Sequence, residues 1–546
     1  MKPRAKTLLV AATLTLVVGV CGAWPLLRSH LLQARLDRAL LRLHGLGLRT
    51  QVSAIQWEGL WTAKLDSISA FENGKKVLDV QNIVVTLAPQ LSLSGSEWVK
   101  RIAFEKTTLS WRGLEAAGSG WLVPASLAGG WDGQLTKGKF DGKSMAAACE
   151  LRLISFGQTW LNRKRKNDIA FSLRDLHAFH PMLGDSVKQF GEVAGFGKLE
   201  SGFGKFDLQR GSWFSWEKAT IWANGHWDSQ NHSFALQTAL PLQPVQAILD
   251  PVAALAPEWL AGIQATGSVD GHFELSAELD SLETLHIDGA LTGHGIQVKQ
   301  YGSANLENLP AIAHSPAFFP LNQLPEYLVQ AVVLSEDAGF WDHQGFDKDI
   351  IRLAMVENLE ERRFVRGAGT IPMQLMRNIF LHHGKQADRK LAEVTLTWLA
   401  QSQNILSKEE ELTCYLNLIE WGEDGSGTGP GDELENGSGT GPGDELEDGL
   451  ATRRGDEMGK SIFGIRAAAW RYFRKAPQQL NVDEAIFLAC IIPNPRHAAA
   501  LLEDDGSLTP YAQEYFDTMR WMLYEGDWIG EEWLEAEYPV FRRART

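Results

Sequence analysis

Cysteine is scarce in this chain. Four residues in 546, Cys21, Cys149, Cys414 and Cys490, are too few and too scattered for a disulfide framework or a metal-binding knuckle. Positive charge is also in deficit. The 52 Lys and Arg face 67 Asp and Glu, and a net charge of −15 excludes a general nucleic-acid binder. Much of that excess is local, because residues 421–460 hold eleven acidic and three basic residues. A serine acyl-enzyme signature is missing as well. Ser215-Trp216-Glu217-Lys218 has Ser-x-x-Lys spacing but no following Ser-x-Asn or Lys-Thr-Gly, so it reads as coincidence.

Long apolar runs are absent but for one. Thr7 to Leu27 is uncharged for 21 residues and follows Lys2, Arg4 and Lys6. That length crosses a bilayer as a helix, and the basic flank places the N-terminus in the cytoplasm. The expectation is an uncleaved single-pass anchor in a bacterial inner membrane, with the bulk of the chain in the periplasm. A cleaved signal peptide ending near Cys21-Gly22-Ala23 is the competing reading.

Beyond the anchor (1–27) the pattern changes twice. Residues 28–50 carry leucines at helical spacing: Leu31, Leu32, Leu36, Leu40 and Leu43. Alternating runs such as Phe234-x-Leu236-x-Thr238-x-Leu240, punctuated by Gly, Asn, Asp and Ser, then predict a β-rich domain within 28–300. Residues 301–324, with Pro310, Pro316 and Pro320, read as a linker. From 325 to 546 the period is helical, predicting a mainly α domain with helices over 327–334, 349–359, 374–380, 390–402, 408–419, 465–473 and 482–490. Within it "GSGTGPGDELEN" (425–436) is followed by "GSGTGPGDELED" (437–448), so 423–460 is expected to be a flexible acidic insert.

The α domain carries the chemistry. Glu336 and Asp337 are adjacent, and a like charge beside a carboxylate can raise its pKa towards that of a useful general base. Phe340, His343 and Gly345 follow at fixed offsets. Gly367, Gly369, Thr370 and Ile371 then precede Gln374, Arg377 and Asn378, which share one helix face and suit a polar, anionic ligand. Arg389, Lys390 and Glu393 form a third element, with Lys385 before it, and fixed cations there would favour a departing pyrophosphate. Tyr415 and Asn417 belong to a fourth element begun by Lys408, and Ala468, Ala469, Tyr472, Phe473 and Lys475 to a fifth.

These ordered elements resemble glycosyltransferase family 51, the peptidoglycan glycosyltransferases, over about 324–500. The resemblance implies a lysozyme-like, mainly α fold beside the membrane. It implies polymerisation of lipid II into a growing glycan strand, with loss of undecaprenyl pyrophosphate. Glu336 would be the general base. Glu393, Arg377, Lys385, Arg389 and Lys390 would serve the diphosphate, with Glu393 a candidate ligand of Mg2+ or Mn2+ and no organic cofactor. Asp337, Phe340, His343, Thr370, Gln374, Asn378, Tyr415 and Asn417 complete the expected substrate site, with Asp337 and His343 organising the first motif rather than transferring protons and Tyr415 and Asn417 equally open to a structural role. Cross-linking would be left to a separate transpeptidase.

The chain departs from the family pattern at Gly369, Pro372, Met373, Arg377, Ala392 and Glu411, and in its long insert. These departures keep a second reading open, a catalytically degenerate envelope scaffold or lipid-handling protein. A lysozyme-like hydrolase is a third, which would need no pyrophosphate cradle. The middle region resembles AsmA-like proteins in its layout, extended β-sheet after one membrane helix.

Overall fold

The computed structural model describes residues 48–541 and parts of 29–40. Residues 88–98, 112–113, 126–129, 142–145, 162–163, 180–186, 203, 362, 364, 382–386 and 424–460 are excepted. The expected anchor and acidic repeats therefore lie outside the described residues. Among the described residues no helix is long and apolar enough to cross a membrane. The chain divides into two compact units, Met1–Ala239 and Leu240–Thr546.

The first unit is antiparallel β. Arg49–Val52 and Ile55–Glu58 both pair with Thr62–Glu72, and from there each strand pairs with the next along the chain. Opposed residues share a face, so the register aligns apolar side chains in rows. One such row joins Leu65 to Ile83 and Ile83 to Phe104; another joins Val85 to Ile102 and Ile102 to Leu122. Over the first strands this face is covered. Leu32 and Leu36, from the expected leucine helix, pack against a core of Ala63, Leu65, Ile83, Val85 and Leu87. Further along, the opposed pair Phe206 and Trp227 is largely exposed.

The second unit begins with part of the β region. Helices α1 (Val245–Leu255) and α2 (Pro257–Leu260) precede a hairpin of Gln264–Glu278 and Ser281–Gln300. The remaining helices are α3 (Leu309–Ala313), α4 (Glu326–Glu336), α5 (Lys348–Glu360), α6 (Ile371–Phe380), α7 (Ala387–Ser402), α8 (Lys408–Leu418), α9 (Ile465–Phe473), α10 (Val482–Ile491) and α11 (Pro510–Glu525).

The expected boundary at 300 and the linker at 301–324 give way to a different division. Val269 and Ile296 of the hairpin share one apolar core with Leu306, Leu309 and Ile312, and with Leu375, Leu396 and Leu399 of α6 and α7. Polar contacts reinforce this core. Trp398 Nε1 donates to Leu291 O at 3.2 Å, and Lys348 Nζ meets Asp288 at 3.1 Å. Buried apolar contact, more than proline content, decides where a compact unit ends.

Local signals explain the helix starts. Ser407 and Glu410 form a reciprocal capping box at α8. Thr370 caps α6, which places Pro372 in the first turn, where a missing N–H leaves nothing unsatisfied. Met373 is buried there, so the two residues that depart from the family pattern suit the helix. The acidic insert leaves from a two-stranded hairpin, Glu420–Glu423 paired with Ser461–Phe463.

Candidate active site

Glu336 is the last residue of α4, half-buried where that helix meets α6 and α8. Gln374 Nε2 on α6 donates to Glu336 Oε2 at 2.8 Å. The buried Tyr415 hydroxyl on α8 lies 3.5 Å from the same oxygen and 3.2 Å from Gln374 Oε1. Arg377, one turn along α6, donates Nη2 to Gln374 Oε1 at 3.2 Å. A single amide therefore links the carboxylate to a cation.

Burial raises the Glu336 pKa above the ordinary glutamate value, while Gln374, Arg377 and Tyr415 pull against it. The neighbouring charge of Asp337 is the smallest of these influences, so solvent exclusion, and not the paired carboxylate, is the main cause. Tyr415 stays a protonated donor, its pKa pushed well up by burial and then by the charge of Glu336.

A group whose folded pKa is raised stabilises the fold in its protonated form. That contribution is complete below the unfolded pKa and is lost as pH rises through the folded value. Glu336→Gln mimics the protonated acid. It should melt above the wild type at neutral pH, and the advantage should vanish below the usual carboxylate range; calorimetric melts across pH check this.

Asp337 has a structural task. It is buried, its Oδ1 takes His343 Nε2 at 2.8 Å, and its Oδ2 accepts the Ile371 amide at 2.9 Å, at the start of α6. Thr370, expected to bind substrate, is buried, accepts from Met373 N at 3.4 Å and donates to Gly345 O at 2.6 Å. Thr370→Val removes the cap and that bond, and should cost about 1–2 kcal/mol of stability in denaturant melts.

Phe340 is fully buried and offers no surface to a ligand. Asn417 is committed to the backbone, with Oδ1 accepting from Phe319 N at 2.8 Å and Nδ2 donating to Phe319 O at 3.1 Å. The Asn417 bonds match the structural alternative that the sequence left open for it. Asn378 is half-buried on α6, and Lys385 lies outside the described residues.

The third element meets this site from α7. Glu393 is buried, with Lys390 Nζ 2.7 Å from Oε1 and Arg389 Nη1 3.6 Å from Oε2. Arg377 and Arg389 feel each other electrostatically, and burial pushes the Arg389 pKa down from its ordinary value. Lys390 also donates to Ala368 O at 3.3 Å. A Cβ on Gly369 would meet only Gln374 and Lys390 atoms at 4.0 Å, so a serine would fit there.

Both Glu393 oxygens thus face cations, an environment that does not fit a divalent-metal ligand. Asp337, His343 and Asp347 also lie together, with ligand atoms within 4.8 Å. Asp337 has given both oxygens to hydrogen bonds, and Asp347 Oδ1 caps α5 through Asp349 N at 2.7 Å, so this cluster is a clamp between elements.

Sequence reading missed Tyr515. Its hydroxyl donates to Ser335 Oγ at 2.8 Å and holds the last turn of α4 beside Glu336. A contact across 180 positions leaves no trace in local spacing.

A family profile described as Transglycosylase matches residues 305–433 and 456–519. A biosynthetic peptidoglycan transglycosylase of Methylobacillus flagellatus is 32% identical over 195 residues, 36% of this chain and 68% of the relative. The chain belongs to the transglycosylase family. Proteins of the same name from Chromobacterium violaceum (34% over 178 residues, 33% of this chain) and Yersinia pseudotuberculosis (32% over 197 residues, 36% of this chain) are also similar. The chain spans 61% of the Chromobacterium relative and 65% of the Yersinia one. The transglycosylase match begins at 305, inside the expected linker and close to the buried Leu306.

Proposed function

We propose that this transglycosylase is a peptidoglycan glycosyltransferase that polymerises lipid II into glycan strands and releases undecaprenyl pyrophosphate. One observation carries the reading: the water-poor Glu336 carboxylate is linked through the Gln374 amide to Arg377, which is close enough to Arg389 for the two charges to act on each other.

In this reading Glu336 takes the proton of the acceptor sugar's 4-hydroxyl. The hydroxyl oxygen attacks the anomeric carbon of the second lipid-linked sugar with inversion. The bond from that carbon to the diphosphate breaks, and its electron pair leaves on the pyrophosphate. Arg377, Arg389 and Lys390 stabilise that charge as it grows, where fixed cations act most strongly. Glu393 orients Arg389 and Lys390. Mg2+ or Mn2+ at Glu393 would have to displace both cations, so no step runs through a metal.

The protein would sit in the bacterial envelope, anchored by 7–27 in the inner membrane, with cross-linking done by a separate transpeptidase. The test uses the full chain in detergent, given labelled lipid II and, separately, preformed glycan. Polymer from lipid II that is lost in Glu336→Gln supports the reading. Turnover of neither substrate identifies a scaffold, and cleavage of glycan identifies a hydrolase.

A further inference from the structure

Behind the site lies a buried acid that the reaction does not use. Glu411 on α8 is 3% exposed. Its Oε1 accepts from Gln401 Nε2 of α7, and its Oε2 lies 3.5 Å from Lys408 Nζ. Lys408 Nζ in turn sits 4.3 Å from the Phe340 ring centroid. Glu411 also feels His343 electrostatically. Among the described residues Glu411 Oε2 and Lys408 Nζ are buried without a hydrogen bond that meets ordinary geometry, so the attraction between them is mainly Coulombic.

Two lines, one electrostatic in its first step and one of direct contacts, run from this acid to the start of α6. The first passes through His343 to Asp337, which holds the Ile371 amide at 2.9 Å. The second passes through Gln401, which packs against Gly345, whose carbonyl accepts the Thr370 hydroxyl at 2.6 Å. Gly345 has φ +87, and a Cβ there would lie 2.9 Å from Gln401, so the loop can seat on that side chain only as glycine. Both lines end on the turn that presents Gln374 to Glu336 and aims Arg377.

We infer that Glu411, paired with Lys408, is a positioning residue that fixes the N-terminus of α6, and through it Glu336 and Arg377, for glycosyl transfer. The catalytic part of this inference rests on the function proposed above. The pair exists only while Glu411 is ionised. The titratable or charged groups that interact with that carboxylate are Lys408 and Cys414 on α8 and His343 on the loop before α5. Burial raises the Glu411 pKa in spite of Lys408. Its protonation on the acid side of the pH profile therefore adds to the loss caused by protonating Glu336.

Glu411→Gln keeps the side chain's size and its contact with Gln401 but removes the charge. With lipid II its kcat should fall about tenfold with KM little changed. The acid limb of its pH profile should lose the extra step of about tenfold that protonating Glu411 adds in the wild type. Lys408→Met should reproduce the loss of kcat, and serves alone if Glu411→Gln does not fold. An unchanged kcat in the folded variants, or an acid limb with the same shape as in the wild type, overturns the inference.

Hydrogen exchange on the full chain tests the same point without activity. In Glu411→Gln, amides of 337–347 and 371–374 should exchange at least about fivefold faster while those of 482–491 stay as in the wild type. Unchanged exchange at 337–347 overturns the inference even if polymer forms. Faster exchange in a wild-type background that makes no polymer leaves the positioning contact standing and overturns the proposed function.

Discussion

Glu336→Gln stops glycan polymerisation: the rate with lipid II is expected to fall about a thousandfold while lipid II still binds. A general base contributes roughly 10²–10⁴ to a rate, and the upper part of that range applies where water is too scarce to stand in for it. Glutamine retains the Gln374 contact and the shape of the site but cannot take a proton. The loss should therefore appear in kcat, with KM close to the wild-type value. The same variant should melt higher at neutral pH, so inactivity from unfolding would be distinguished at once. A loss confined to KM would mean that Glu336 merely holds substrate.

Glu393→Gln should combine the second-largest loss of rate with a loss of stability. Its carboxylate lies between Lys390 and Arg389, and Arg389 is only 16% exposed in its side chain. Removing that charge leaves the guanidinium with only the weaker influence of Asp388, and breaking a buried pair costs about 3 kcal/mol. Lys390, at 44% exposure, can turn towards water, which keeps the cost near the lower end. With the two cations no longer aimed, kcat should fall about a hundredfold, because the diphosphate takes on further negative charge as its bond to the sugar breaks. Polymerisation assays beside denaturant melts check both halves. Normal kcat in a destabilised variant would leave Glu393 a purely structural anchor.

Local spacing made part of this site legible. Gln374 and Arg377 stand three apart, and the helix that forms over Ile371–Phe380 puts them on one face as that spacing requires. Arg389 and Lys390 each pair with Glu393 for the same reason. The expected helix over 465–473 coincides with α9, and those over 349–359 and 408–419 fall within a residue of α5 and α8 at each end.

Other features depended on contacts far apart in the chain. Tyr415 reaches Glu336 across 79 positions, and its role follows only from how α4 and α8 pack. Glu411 reads in the sequence as a charge breaking an apolar pair, because Gln401 and His343 come to it from other elements. Asp337 has the composition of an electrostatic partner for Glu336, yet its two oxygens turn away to His343 and the Ile371 amide. Prolines at 310, 316 and 320 suggested a linker, but Leu306, Leu309 and Ile312 between and before them join a core shared with the hairpin.

The measurement closest to the central claim is the pH dependence of kcat/KM for lipid II in the wild type and in Gln374→Leu. Gln374 donates to Glu336 and lowers its pKa against the larger effect of burial. The wild-type acid limb should therefore lie above the ordinary glutamate range, and losing that donor should move it higher still. A wild-type rate that holds down to the pH of an ordinary exposed glutamate, or a limb that does not move in Gln374→Leu, would contradict Glu336 as the base.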